Sequence, residues 1–498
     1  MNTKKGGIIR KLLEYISVAL IYVIAYFISG SQHAITGIFM IVAGIGSYIY
    51  FAFNGERNFL KMNAVFSIAW VVTIGISQMM LNPYQRSWEL VSWICVCLAH
   101  LSFLVANDWA HRAFPFFERV FNFNKLNNSK FPLHYERKDN RLFWIALVTS
   151  AIGIAFFVAN IVIKGYVPFF ASAENDKAYV EFYTRLHIFV VASMVSGGLA
   201  YYCLRKCELS IIKKIISILI IVIMIFAIPI LLVQRGTFIA VALILTTVIY
   251  LGSKKRRFIL LLACLVLMLG VYQVGTSLRS YSEAQLVYLF QTEQDEINKE
   301  KKEKKEGEDD KEKTKVNKKP AEVIKIKLTP GQAYFYAYLS VSHDNFNCIV
   351  SEKEENTWGL FQLIPFNVLL RIDSINEKLA EVKIPQVTTY LNTNNLIGYA
   401  YYDFGLIGVV GLMLLWSFGF GIVEAFERKY KGPFVSLIYG VCMLPVALCF
   451  FNAWMSYFTT WLLWGTVCLM FLFASFTRKK HIQKALAKKT IGNGETNK

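Results

Sequence analysis

The 498-residue sequence predicts an all-α polytopic membrane protein, and three observations carry that reading. Residues of the AVILMFWYC set make up 55% of the chain and charged residues only 17%, against roughly 25% in an ordinary soluble domain. The apolar residues gather in runs of about 20, the length at which a helix crosses the hydrocarbon core with every backbone group bonded inside the segment. The basic residues fall in short blocks between those runs and form no stripe on a compact domain. A net charge of +19 arranged in this way reports orientation in a membrane and suggests no nucleic-acid partner. A soluble globule, a fibrous repeat and a disordered chain are excluded.

Twelve such runs are expected, at about 12–28, 34–53, 63–81, 88–106, 142–163, 187–204, 211–233, 236–252, 257–274, 404–425, 434–452 and 456–476. The first follows Lys4, Lys5, Arg10 and Lys11 and lacks a small-x-small cleavage motif, so it reads as a retained helix and not as a signal peptide. With a cytoplasmic N-terminus, the loops on that side carry 31 Lys and Arg, and the short outer loops carry five: Arg86, Lys164, Lys177, Arg185 and Arg235. The other 17 lie in one outer loop, whose length frees it from the positive-inside rule. The expected organisation is a nine-helix membrane domain over 1–274, a large extracytoplasmic loop over 275–403, three membrane helices over 404–476 and a basic cytoplasmic tail over 477–498 resting on anionic head groups.

Within the large loop, 293–320 holds ten Lys and ten acidic residues and no aromatic one, a composition that cannot bury a core and predicts a disordered insert. After Pro320 the chain turns aromatic, with Tyr334, Phe335, Tyr338 and Leu339, then Trp358, Phe361 and Phe366. Short amphipathic helices on the outer membrane surface are expected there, with a re-entrant helix over 333–350 as the alternative. The nine Cys are scattered and show neither a disulfide framework nor a zinc-ligand spacing. No metalloprotease, nucleotide-binding or serine-hydrolase motif stands out.

Candidate functional residues are polar groups placed where they are costly. Arg86, Arg185, Arg235 and Arg279 sit on the charge-poor outer side, Arg235 in the tight hairpin Val233-Gln234-Arg235-Gly236-Thr237. Planar, permanently charged forks converging at one membrane face suit a phosphate or diphosphate, although any single arginine is equally accounted for by snorkelling to lipid. His343 stands beside Asp344, where an imidazole could take a proton from a sugar hydroxyl; an unoccupied surface histidine is the competing reading. His100, within the fourth run, reads as a hydrogen-bonded packing residue. Between Thr389 and Gly405 lie Asn394, Asn395, Tyr399, Tyr402 and Asp403, a set of amides, aromatic faces and one carboxylate that suits a carbohydrate. Asp403 opens an apolar helix, whose dipole favours its negative form and an acceptor role; a simple N-cap is the alternative. Gly405, Gly408 and Gly411 read as a surface for close helix packing.

At these residues the sequence resembles the bacterial oligosaccharide repeat unit polymerases, the Wzy-type O-antigen and capsule polymerases. Gly165-Tyr166-Val167-Pro168-Phe169-Phe170 followed by Arg185, then Gln234-Arg235-Gly236-Thr237, then Asn394/Asn395 through Tyr402-Asp403-Phe404-Gly405-Leu406-Ile407-Gly408 resemble three outer motifs of that family in order. The likeness spans most of the chain as topology and about 40 residues as motif. The Lys/Glu-rich insert departs from it. The resemblance implies a glycosyltransferase of the polytopic GT-C class in the bacterial cytoplasmic membrane, both termini cytoplasmic, acting on undecaprenyl-diphosphate-linked oligosaccharide without cofactor or metal. It further implies Arg235 and Arg279 at the diphosphate with Arg185 nearby, His343 or Asp403 as base, and a flippase and chain-length regulator as partners. A lipid-linked oligosaccharide flippase or transporter and an O-antigen ligase are the alternatives.

Overall fold

A computed structural model describes residues 2–54, 57–81, 85–121, 140–171, 182, 184–253, 330–387 and 392–494, and no β-strand occurs among them. The helices are α1 (Asn2–Ser29), α2 (His33–Phe53), α3 (Met62–Gln78), α4 (Leu90–Val120), α5 (Arg141–Lys164), a single turn α6 (Pro168–Ala171), α7 (His187–Lys206), α8 (Ile211–Leu231) and α9 (Arg235–Gly252). After these come α10 (Pro330–Glu352), α11 (Ile364–Leu370), α12 (Asp373–Glu381), α13 (Gly398–Tyr430), α14 (Pro433–Ala447) and α15 (Phe458–Gly494).

Among the described residues, eight helices are long and apolar enough to cross a membrane, and Met62–Gln78, Gly236–Gly252 and Pro433–Ala447 are apolar but shorter. The chain is a multi-pass membrane protein. These helices coincide with all the expected runs except 257–274, which lies outside the described residues together with Cys264, Arg279 and the insert 293–320. The other eight cysteines are free thiols.

The chain forms two compact units: Met1–Leu104 with Thr276–Leu414 and Ala447–Ser456, and Val105–Gly275 with Leu415–Val446 and Tyr457–Lys498. In the first, α2 and α3 meet backbone to backbone. A Cβ at Gly37 would stand 2.7 Å from the Gly75 carbonyl oxygen, and one at Gly75 would stand 2.8 Å from that of Gly37. His100 of α4 is the packing residue expected, joined to Tyr22 of α1 at 3.0 Å and to Ser67 of α3 at 2.9 Å.

Two helices outrun the apolar stretches that announced them. α4 has 31 residues and α13 has 33. At 1.5 Å per residue α4 is roughly 45 Å long and the part of α13 beyond its bend at Gly405 roughly 37 Å, both beyond the ~30 Å hydrocarbon core. Their last turns lie in the second unit and pair charge with charge. Arg428 donates to Glu424 at 2.5 Å, His111 Nε2 stands 3.7 Å from the same carboxylate, and Lys429 and Tyr430 both donate to Glu118. Phe114, Ala425, Tyr430 and Val435 close an apolar cluster beside them.

The glycines after Asp403 serve a bend and not the helix packing expected of them. Gly405 sits at φ 62°, ψ −146° inside α13, a conformation that L side chains do not hold, and it kinks the helix. A Cβ at Gly408 would stand 2.2 Å from the Ala400 carbonyl across that bend, whereas one at Gly411 would meet nothing within 4 Å.

Substituting Gly75 by Val should therefore cost about 1–3 kcal/mol. It is expected to lower the thermal midpoint of detergent-purified protein, with Gly411→Ala at or slightly above wild type. Equal midpoints for all three proteins would overturn the α2/α3 contact.

Candidate functional site

In the second unit, two of the three segments that resemble outer family motifs come together, Gly165–Phe170 with Arg185 and Gln234–Thr237. Gly165, at φ 78°, ends α5, and its N–H donates to the Ile161 carbonyl at 2.7 Å. The turn α6 follows and packs beside the last turn of α8. Phe182 is fully buried between Tyr166 and Phe157, with ring centroids at 5.8 and 6.4 Å. The Thr184 hydroxyl donates to Asn160 of α5 and accepts from the Leu186 N–H at 3.1 Å, which fixes the turn carrying Arg185.

The same turn is bound to the α8–α9 hairpin. Gln234 donates through Nε2 to His187 Nε2 at 3.1 Å and accepts from Thr237 at 2.7 Å. Val233, at φ 55°, turns the corner, and the Gln234 N–H closes on the Pro229 carbonyl at 3.2 Å. The segment bearing Arg185 and the one bearing Arg235 are thus joined one residue from Arg235 and two from Arg185. Arg185 is exposed, and among the described residues no carboxylate pairs with it. Arg235 is the first residue of α9, whose N-cap, Gln234, makes no side-chain cap hydrogen bond. An uncapped helix N-terminus carries a partial positive charge, which favours an anion. Sequence reasoning missed Asn160, Thr184 and Gln234, although polar residues at the end of an apolar run were the signal.

The first unit holds the other predicted residues, arranged around α10. This helix does not lie on a surface with one wet face. Ala337, Val341 and all of Ser342 to Ile349 are buried, because polar side chains on several faces bond to irregular segments packed around it. Asp344 accepts from Ser77 of α3 at 2.6 Å and from Gln85 at 2.8 Å. Tyr336 donates to Gln85 at 2.7 Å and accepts from the Leu81 N–H at 3.1 Å. Asn347 accepts from the Glu89 N–H at 3.0 Å and from Ser92 at 2.8 Å. On another face Ser342 bonds Thr393 and the Phe451 carbonyl, and Asn345 donates to the Thr393 carbonyl at 2.7 Å.

His343, one of the two residues proposed as base, has both ring nitrogens engaged. Asn395 donates to Nδ1 at 3.1 Å, which leaves the proton on Nε2, donated to Thr73 at 2.9 Å; Thr73 in turn donates to the Ala69 carbonyl at 2.5 Å. Burial pushes its imidazole down to about 3, so it stays neutral.

Asp403 is also occupied. Its carboxylate accepts from Thr357 at 2.6 Å and from the Phe361 and Gln362 N–H groups at 3.1 Å, so it organises the 357–363 turn in place of capping its own helix. Arg86, offered to a diphosphate, is instead ion-paired with Glu352 of α10. Of the residues offered to an acceptor sugar, Tyr402 donates to the Lys383 carbonyl at 3.1 Å and Tyr399 stacks on Phe361 at 4.6 Å. Asn394 is buried with neither amide atom bonded among the described residues, and the same holds for Oδ1 of Asn395. Thr389 to Leu391 lie outside the described residues.

Compared with known protein families, with curated proteins and with solved structures, the chain has no match in any of the three.

The Asp344 carboxyl is pushed up to about 7 by burial, against the donors Ser77 and Gln85 and the nearby Trp88 and Ser340. A raised folded-state value means that the folded protein prefers the protonated form. That preference stabilises fully below pH ~4 and is lost as pH rises through about 7. Asp344→Asn, which carries no charge, should gain thermal stability relative to wild type as pH rises from about 4 to 7, by at most ~4 kcal/mol. A pH-independent difference between the two proteins would show that Asp344 is ionised throughout.

Proposed function

We propose that this chain polymerises oligosaccharide repeat units carried on a lipid diphosphate, undecaprenyl diphosphate by the family likeness, at the outer face of a bacterial cytoplasmic membrane. The observation that supports it is the Gln234–His187 hydrogen bond, which unites the Arg185 turn with the start of α9. Segments that the resemblance nominates from sequence thereby share one end of one unit, as a diphosphate site requires.

In this reading an acceptor hydroxyl of one repeat unit attacks the anomeric carbon of the growing glycan. The bond from that carbon to the lipid diphosphate breaks, and the departing oxygen takes on negative charge. Arg185, Arg235 and the partial positive charge at the start of α9 stabilise that charge as it develops. The hydroxyl proton leaves to the medium or to the diphosphate, since His343 and Asp403 already serve as fixed hydrogen-bonding partners of the chain. Energy comes from the cleaved glycosyl–diphosphate bond.

Purified full-length protein in liposomes, given a lipid-linked repeat unit, should produce a ladder of chain lengths. Arg185→Ala and Arg235→Ala are each expected to lower ladder formation ~10²-fold or more, the scale of losing one charge-stabilising group. Arg86→Ala, which removes an arginine already balanced by Glu352, should lower it far less. A normal ladder from both of the first two variants would overturn the diphosphate assignment. Movement of the lipid across the bilayer without a ladder would identify a flippase, and transfer only to a foreign acceptor a ligase.

A further inference from the structure

Beyond α10, the first unit turns apolar side chains away from its own core. That core is local: Ile349, Phe361 and Tyr402 are buried together, with Ile364 of α11 and Leu379 of α12 packed against them. Of α11, Pro365 and Asn367 are buried, whereas Val368, Leu369 and Leu370 are exposed, the last two at 63% and 69%. Leu363 and Ile372, on either side of the helix in the chain, are exposed as well, and Trp358 is 76% exposed. A water-facing surface carries such residues singly; a group of them marks a membrane or a partner protein.

The turn over 357–363 fixes this group at the entry of a membrane-spanning helix. The Trp358 N–H donates to the Asp403 carbonyl at 3.1 Å, and the Thr357 N–H to that of Tyr402 at 3.3 Å. Gly359 stands at φ 95°, and a Cβ there would meet the Phe404 ring at 3.1 Å, so the turn lies directly on α13. Immediately after Gly405, Leu406 and Ile407 are exposed, Ile407 at 83%, where the span Gly398–Tyr430 meets hydrocarbon. Trp358 is thus bonded to the head of a helix whose lipid-facing side opens directly beyond it. That is the level at which tryptophan, with an apolar ring and one N–H, settles in membrane proteins.

The neighbouring helix shows the contrast. Asn367 accepts from the Ile372 N–H at 2.8 Å and donates to Asn376 at 2.7 Å, Arg371 turns the corner at φ 52°, and α12 follows. It buries no residue and exposes Asp373, Glu377, Lys378 and Glu381. Adjacent helices over one small core therefore present an apolar surface and a charged one, as an element lying at a membrane boundary does.

We propose that 358–370 is an interfacial anchor, with Trp358, Leu363, Leu369 and Leu370 seated between the head groups and acyl chains of one leaflet and α12 in water. The bilayer is the occupant because the group is joined to the start of the lipid-facing side of α13. The segment contains no charged residue, so it takes the bilayer as an apolar medium and selects no head group. The anchor is independent of the polymerase reading. It ties the turn held by Asp403 to the membrane surface and so fixes the depth at which α13 begins.

Tryptophan fluorescence of the full chain in nanodiscs tests this, with phosphatidylcholine brominated near the head group as the lipid-side quencher and iodide as the aqueous one. The emission lost in Trp358→Phe is the contribution of Trp358. It should fall at least two-fold with brominated lipid and change little with iodide. In the Trp358→Phe background, Leu369→Trp should behave in the same way and Glu377→Trp in the opposite way. Should Leu369→Trp fail to fold, the signals at 358 and 377 decide. Iodide quenching at 358 without lipid quenching would overturn the proposal. So would protection from both quenchers, as a second copy or another protein would give, or lipid quenching at 377 as strong as at 358.

Discussion

The first unit depends on one constraint, that backbone leaving a helix inside a buried region must still bond its N–H and C=O groups. The helix Pro330–Glu352 meets it with side chains. Tyr336 accepts the Leu81 N–H, Asn347 accepts that of Glu89, and Asn345 accepts that of Val387 while donating to the Thr393 carbonyl. Ser342 donates to the Phe451 carbonyl. Three irregular segments, before α4, before α13 and after α14, are thereby held on one central helix. Each of these bonds, if removed, leaves a buried group unsatisfied at about 1–3 kcal/mol, so this polar helix is a framework before it is anything else.

That constraint explains which parts of the fold the sequence disclosed. Lipid-facing helices were legible because apolar length is a direct physical requirement, and eleven expected runs fall on apolar helices. The helix 330–352 was legible only as an alternative, a re-entrant helix over 333–350 beside the short amphipathic surface helices that were expected first. Its Ser, His, Asp and Asn residues read as a wet surface, when protein surrounds the helix and supplies their partners. The far turns of α4 and α13 escaped for the converse reason: hydropathy marks where hydrocarbon ends, while helix continuation there rests on Glu118 and Glu424 meeting cations and a tyrosine from the neighbouring turn.

The candidate site divides in the same way. Sequence order placed Arg185, Arg235 and the Gly165–Phe170 segment on one face, and their segments do meet in the second unit. What it lacked was the means of joining them, Gln234 and Asn160, whose neutral amides carry no charge signal. Asp403 shows the opposite error of emphasis. A carboxylate at the head of an apolar helix attracts a catalytic reading, yet its strongest local use is to gather three donors from the 357–363 turn. Gly405 then bends the helix directly after it, so the Asp-Phe-Gly pattern encodes an anchor followed by a kink.

Charged residues therefore separate by whether their charge is cancelled. Arg86 faces Glu352, and Glu118 faces Lys429; in each the fields close on each other, and the pair joins two segments without attracting a third ion. Arg185 has no described carboxylate partner. Residual field of this kind is useful only if something mobile and anionic completes it. In a membrane protein the anions at head-group depth are phosphates, either of bilayer lipids or of a lipid-linked substrate. The proposed diphosphate site rests on this inequality of charge and not on the number of basic residues, which is why a net charge of +19 was by itself silent about where an anion binds.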